Sequence, residues 1–390
     1  MTPDNPQRHV LHWTNWHPVI DGVSGLFVLE QCSALQAAGT QVGLVCSRIQ
    51  GLRDFRMNRA LLGLPGFFQS NQPVPTLGFK SWHVPGMRPV IAQIQMRMLI
   101  NRYAAYVRRF GQPDILHGHC ALEAGSATRA AALQSALPYV LTEHSSEILN
   151  GVEDASRRAT AKRVYESAAA VIAVSDRLAG KISELAPAVQ PIVIGNMVRD
   201  SVFRMARAQR PVTERITIVA ISSLVPAKRI DLAINALAGI APAQSRAIDF
   251  VVVGDGPERA RLETLAARLS VNCRFMGNLP HAEAMAQLAG AHMLLHPSSF
   301  ETFGIVLAEA AALGVPVVAT RSGGPQSIVH DDSGVLVDVD DLEQIGAAIA
   351  AVIDNLPGWE CKRPSMIRSC RDRFHESNVV NSIQGVYDRC

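Results

Sequence analysis

VLHWT, QVGLVCS, DILHGH, PYVLTEH and AAVIAVS are short apolar runs separated by longer stretches with helical spacing, such as LFVLEQCSALQAAG, which stops at Gly39. Strands that alternate with helices along a chain go into parallel sheets, because each crossover needs a helix to carry the chain back to the starting edge. The rhythm restarts near Arg215 with RITIVAISSL, DFVVVGDG, CRFMGN, HMLLHPS, PVVATRSGG and GVLVDV. Between the two series, RDSVFRMARAQRPVTER has no apolar rhythm and reads as a linker, and the chain closes on a helical NVVNSIQGVYDRC. The pattern predicts an α/β protein of two doubly wound domains, residues 1–205 and 212–375, with residues 376–390 as a helix beyond the second. Polar residues at the strand ends are where open parallel sheets collect ligand groups, and two facing domains would put those ends across one cleft.

Composition fits this frame. With 390 residues, 48% hydrophobic and 18% charged, the chain has length for about two or three ordinary domains with large cores. No apolar run is long enough to span a bilayer, and MTPDNPQRHVLHW lacks the apolar core of a signal peptide. Seven cysteines, with no CxxC pair, point to reduced thiols in a cytoplasmic protein and away from a zinc site. The net charge of +3 is unevenly spread: from Arg48 to Arg109 there are ten Lys or Arg and a single acid, Asp54. LLGLPGFF, Leu61 to Phe68, lies in the same region. Arg53, Arg56, Arg59, Arg88, Arg97 and Arg102 beside Leu61, Leu62, Leu64, Phe67 and Phe68 would suit the inner face of an anionic membrane. The competing reading is a basic surface loop and helix. No nucleic-acid motif accompanies the patch, so nucleic acid is not expected as a partner.

SSFETFGIVLAEAAALGVPVVATRSGG, Ser298 to Gly324, holds Glu301 and Glu309 on either side of a Thr-Phe-Gly turn. In one unbroken helix they would lie roughly 12 Å apart along the axis, too far to share a proton or a metal. Gly304 reads as the helix start, with Glu301 in the preceding loop and Glu309 just over a turn inside. The amides of Phe303, Gly304 and Ile305 then point outward, where a helix N-terminus attracts anions. Carboxylate, phosphate cradle and carboxylate in a row suit a long ligand with hydroxyls at both ends and phosphate between. The plainer alternative makes Glu301 a cap and Glu309 a solvated face residue.

Two glycine loops carry less. Gly254-x-Gly256 follows a strand and opens a helix, but Arg259 stands where a dinucleotide fingerprint has its third glycine, and no acid is placed for a ribose. Gly22-Val-Ser-Gly25 would let backbone approach a ligand closely, or is a simple turn.

Taken in order, GLFVLEQCSALQAAGTQVGLV, DILHGH, LTEH, IGNMVRDSVF, SSLVPAKR, VVVGDGPE, FMGNLPHAE and FETFGIVLAEAAALGVPVVATRSGGPQSIVHDDSGVLVDVDD resemble the retaining family 4 glycosyltransferases of GT-B fold over nearly the whole chain. The resemblance implies two Rossmann-like domains facing a cleft, with the C-terminal helix returning to the N-terminal, acceptor-side domain and the second domain binding the donor. Carried over residue by residue, Glu309 would bind the nucleotide ribose, Glu301 the transferred sugar, and the amides of Phe303, Gly304 and Ile305 the sugar and phosphate. Lys228 would bind the diphosphate, Gly25 would bring backbone to it, and His144 would contact the sugar. Lys228, Glu301 and His144 are the expected catalytic residues. Ser223, Gly254, Asn278 and Leu279 complete the expected donor set. One departure stands out: the family usually has an arginine five residues before the lysine, and here that position is Ser223.

The resemblance implies transfer with retention from a nucleotide diphosphate sugar, with no metal and no other cofactor, to a glycan or lipid-linked acceptor of the cell envelope. Two alternatives remain at this stage. A nucleotide-sugar epimerase would need acid/base carboxylates around the sugar in a closed site. A silent sugar-nucleotide binding protein sits poorly with an intact Glu301, Glu309 and Lys228.

Overall fold

The computed structural model describes residues 8–16, 25–50, 66–71, 73–82, 88–206, 215–240 and 247–390. The chain divides into two compact units, Met1–Ile194 with Val379–Cys390, and Gly195–Asn378.

The first unit is built on the strands β1 His9–Thr14, β2 Gln41–Gln50, β3 Gly66–Ser70, β4 Thr76–Trp82, β5 Ile115–His119, β6 Tyr139–Glu143, β7 Ala170–Ala173 and β8 Ile192–Val193. They lie in the order β3-β4-β2-β1-β5-β6-β7-β8. Every residue of β1, β5 and β6 is buried, as expected of parallel strands covered on both faces. The helices are α1 Leu26–Ala37, α2 Arg88–Phe110, α3 Ser126–Ser135, α4 Ser146–Asn150, α5 Ala155–Ser167 and α6 Asp176–Leu185, with a π-helical turn at Ala121–Gly125. The C-terminal helix Glu376–Tyr387 returns to this unit, burying Val379, Val380, Ile383, Val386 and Tyr387. Gln384 bonds Thr40, and Tyr387 reaches the sheet at His117.

The second unit has a six-stranded parallel sheet ordered β11-β10-β9-β12-β13-β14. Its strands are β9 Arg215–Ile221, β10 Ala247–Val253, β11 Cys273–Gly277, β12 Met293–His296, β13 Val317–Thr320 and β14 Gly334–Val337. Its helices are α7 Asp200–Arg204, α8 Ile230–Ile240, α9 Arg259–Arg268, α10 His281–Gly290, α11 Ile305–Leu313, α12 Leu342–Asp354 and α13 Leu356–Phe374. The strand order reverses at β9, between β10 and β12, and in the first unit at β1, between β2 and β5. Ligands of open α/β sheets bind beyond the carboxyl ends of strands at such reversals.

Two expectations need correction. The stretch read as a linker begins with α7, whose Val202 and Phe203 are buried, and Val198 donates its N–H to Phe374 O of α13. These apolar anchors assign the segment to the second unit, so the division falls at Ile194/Gly195 rather than near residue 205. The first sheet is also not wholly parallel, since β3 pairs with β4 antiparallel. That pairing takes Phe67 and Phe68 out of the expected loop: Phe68 packs towards Gly78 and Cys46, while Phe67, 58% exposed, lies 3.7 Å beneath the Arg102 guanidinium. Arg53, Arg56, Arg59, Leu61, Leu62 and Leu64 lie outside the described residues.

Candidate active site

In the second unit the polar groups gather at the carboxyl ends of β9, β12 and β13. After β9 the chain turns through exposed Ser223 into a short 3₁₀ turn, Pro226–Lys228, that carries Lys228. After β12 the loop to α11 carries Glu301, tied by Glu301 N–H to Ser322 O and by Gly324 N–H to Glu301 O. Lys228 Nζ meets Glu301 Oε2 at 2.6 Å. The same oxygen lies 3.4 Å from His296 Nε2, and Glu301 Oε1 accepts the Thr302 N–H. Burial alone would push the Glu301 carboxyl up. The His296 hydrogen bond and the Lys228 charge outweigh it and hold the group well below the usual carboxylate range. Burial likewise pushes His296 down despite its acidic neighbour, so a neutral ring donates Nε2–H to an ionised Glu301.

Gly304 caps α11 with φ +86°, a left-handed conformation that a side chain resists, and a Cβ there would stand 2.8 Å from Leu307 Cδ1. Among the described residues, the amides of Phe303, Gly304 and Ile305 donate to no loop carbonyl or side chain. Positive helix-end dipole and free donors therefore sit beside the Lys228–Glu301 pair. The Phe303 side chain faces the core, edge-on to Phe374, so only its backbone can serve a ligand.

Glu309 is neither solvated nor a cap. It is 6% exposed on a helix whose Val306–Leu313 are all buried. Its Oε1 lies 2.6 Å from His281 Nε2 at the start of α10, and His281 Nδ1 takes a hydrogen bond from Arg199. An arginine has no acceptor to offer, so His281 Nδ1 is bare and Nε2–H points at Glu309. His281, Arg199 and His296 do not stand out in the sequence. They come from loops and helices 28 to 82 positions from their partners or, for His296, from the end of an ordinary apolar strand.

The remaining expected residues divide. Gly254 N–H is committed to Gly277 O at 2.8 Å, which closes the ends of β10 and β11 together. Asn278 is exposed and Leu279 half-buried in the loop that follows. Arg229, beside Lys228, pairs with Asp231 and Asp340, so it does not stand in for the arginine absent at position 223.

In the first unit, His144 follows β6 directly and is 9% exposed. Its backbone is clamped by Glu143, which accepts the N–H groups of Ala121, His144 and Ser145 and the Tyr165 hydroxyl. Gly25 starts α1 with φ +78°, and a Cβ there would meet the Trp16 backbone at 2.7 Å. This contact brings Trp16 and Phe27 beside the His144 ring, with centroids 6.2 and 4.8 Å away. Behind His144 stand three further buried histidines, His12, His117 and His119, with ligating atoms within 4.8 Å of one another. Such a cluster has the ligand types of a metal site. Every ring nitrogen of the three already has a hydrogen-bond partner within the unit, so the cluster is satisfied as it stands.

Residues 203–367 match the family described as Glycosyl transferases group 1, and residues 24–197 match Glycosyl transferase 4-like domain. A D-inositol 3-phosphate glycosyltransferase of Acidothermus cellulolyticus is 31% identical over 73% of this chain and 69% of its own length. The chain belongs to the group 1 glycosyltransferases. It is 34% identical to a phosphatidylinositol N-acetylglucosaminyltransferase from Arabidopsis thaliana over 53% of this chain, but spans only 45% of that protein's length. In fold it matches the sucrose-phosphate synthase of Thermosynechococcus elongatus with a TM-score of 0.80 at 20% identity, covering 98% of this chain and 99% of that one. HepE of Anabaena, solved in complex with UDP-glucose, matches with a TM-score of 0.70 at 18% identity, over 98% of this chain and all of that one. As a group 1 glycosyltransferase of GT-B fold, the enzyme transfers a glycosyl group. Among the described residues, no helix is long and apolar enough to cross a membrane.

Proposed function

We propose that the enzyme takes a sugar from a nucleoside diphosphate donor, held by the second unit, and passes it with retention to a hydroxyl of a cell-envelope glycan or glycolipid precursor. The observation that carries this reading is the Lys228–Glu301 pair at the open N-terminus of α11, with Glu309 buried in the same helix. Lys228 and the amides of Phe303, Gly304 and Ile305 meet the diphosphate, so that positive charge faces the oxygen that becomes more negative as the glycosidic bond breaks. Glu301 accepts from sugar hydroxyls, and its environment keeps it ionised for that task. Glu309, with one oxygen taken by His281, offers the other to the ribose hydroxyls. The UDP and UDP-glucose complexes of HepE support a nucleotide sugar as donor. The leaving diphosphate serves as base for the incoming hydroxyl, and His144 contacts the transferred sugar.

Since Lys228 and helix amides supply the positive charge, the reading assigns no step to a divalent metal. Incubation with a panel of nucleotide sugars, with and without lipid extract and with and without EDTA, tests it. Nucleoside diphosphate release that needs extract and survives chelation is the expected outcome. Release abolished by EDTA, or a sugar inverted without any acceptor, would refute it.

A further inference from the structure

Glu301 and Glu309 each have a cation nearby, but it reaches them differently. Lys228 Nζ meets Glu301 directly, at 2.6 Å. Glu309 has its cation at one remove: Arg199 donates to His281 Nδ1, and His281 Nε2 lies 2.6 Å from Glu309 Oε1. Arg199 stands just before α7, His281 opens α10, and Glu309 sits inside α11, which packs against both of those helices.

The two ends of this line fix its proton positions. A guanidinium donates and cannot accept, so His281 Nδ1 is a bare lone pair. The ring's proton is then on Nε2, where the Glu309 carboxylate accepts it. The other tautomer would set N–H against N–H at Arg199 and lone pair against lone pair at Glu309. An imidazolium would meet the same clash at Arg199. A protonated Glu309 donating to Nε2 would drive the ring's own proton to Nδ1, again against Arg199. Both ends therefore select the neutral Nε2–H ring.

The interposed ring also sets how much of Glu309 is covered. An arginine placed directly against a carboxylate commonly engages both oxygens in a two-pronged fork. His281 has one N–H to give and takes Oε1 alone. We infer that His281 and Arg199 are positioning residues for nucleotide binding: Arg199 holds His281 from behind, and His281 fixes the Glu309 carboxylate by one oxygen and leaves the other to the ligand. Neither residue needs to touch the nucleotide. The last step rests on the reading of Glu309 as the ribose contact. The arrangement of guanidinium, ring and carboxylate does not.

Calorimetric titration of the full chain with UDP tests the coupling. Arg199→Met keeps much of the side-chain length and removes the donors. It should weaken UDP binding by at least about threefold, the scale of coupling within one hydrogen-bond network. In the Glu309→Gln background the same change should cost little, because no carboxylate is left to hold. No loss in the native background, or an equal loss in both, would overturn the inference, since an equal loss means that Arg199 serves the fold alone. His281→Gln offers an N–H to Glu309 and an oxygen to Arg199, so it should keep most of the affinity that His281→Leu loses. Equal losses in these two variants count against the inference. In ¹⁵N-histidine spectra of the native chain at neutral pH, the His281 signals, assigned by their absence in His281→Gln, should show Nε2 protonated and Nδ1 bare. A proton on Nδ1 would overturn the inference whether or not the Arg199 variant folds. If Glu309→Gln leaves UDP affinity unchanged, it is the ribose reading that falls, and the spectrum still decides the arrangement behind Glu309.

Discussion

Glu309 is the one charged residue in IVLAEAAAL, a helix buried from Val306 to Leu313. A carboxylate in such a place is costly unless paired, and here His281 pairs one oxygen only. The proposed function uses the other. Glu309→Gln keeps an acceptor for His281 Nε2–H and nearly the same helix propensity, so the fold should hold. The variant loses the ionised acceptor for ribose, and UDP affinity should fall by about 1.5–3 kcal/mol, the worth of hydrogen bonds to a charged group. Calorimetric titration with UDP checks this, and an unchanged Kd removes Glu309 from the ribose. Glu301 and Glu309 were visible in the sequence because an Ala- and Val-rich stretch makes acids conspicuous. Their partners His296, His281 and Arg199 were not, because nothing local marks a histidine that will be brought to a carboxylate by the fold.

At the scale of elements, the turn at Gly304 sets where α11 begins, and with it where Glu301 and the open amides stand. Gly304→Ala places a non-glycine residue at φ +86°, 2.8 Å from Leu307 Cδ1 and 3.2 Å from Glu301 Cγ. Left-handed backbone costs an L-residue about 1–2 kcal/mol. The second unit should lose at least that much stability, a fall in Tm of roughly 2–4 °C per kcal/mol, with UDP affinity falling alongside. Native stability and binding in this variant would show that the turn does not set the site. The helix start at Gly304 was legible, as were eleven strands, among them fully buried apolar runs such as β1, β12 and β13. The β3–β4 pair was not, since its residues mix Phe, Gln, Ser and Lys without alternation. The helix Asp200–Arg204 was missed because two buried side chains, Val202 and Phe203, are too few to make a rhythm. The histidine cluster was half legible: DILHGH and LTEH show His117, His119 and His144 at strand ends. His12 and Tyr387 join them across 107 and 270 positions, which only the fold can close.

At the scale of the whole molecule, the two units should respond differently to acid. In an unfolded chain a histidine titrates near 6.5, but in the folded first unit His12, His117, His119 and His144 are buried and pushed down, His119 to about 3. Below pH 6.5 the unfolded state therefore binds protons that the folded unit refuses, and stability falls as pH falls. Each proton so excluded removes roughly 1.4 kcal/mol per pH unit, until the folded group itself begins to titrate. Among the described residues of the second unit, one buried histidine is pushed down, His296. Its Glu301 has the opposite window, since a carboxyl held below its ordinary 4.5 contributes in full above that pH and loses its contribution only beneath it. Between about pH 6.5 and about pH 4.5 the acid penalty thus falls mainly on Met1–Ile194 with Val379–Cys390. Calorimetry from about pH 7.5 down to about pH 5 should show one thermal transition dropping ahead of the other. Hydrogen exchange should place that transition in peptides from β5, β6 and the C-terminal helix. Two transitions that fall in parallel, or earlier opening of the sheet around β9, would mean that the buried histidines do not carry the acid sensitivity of the fold.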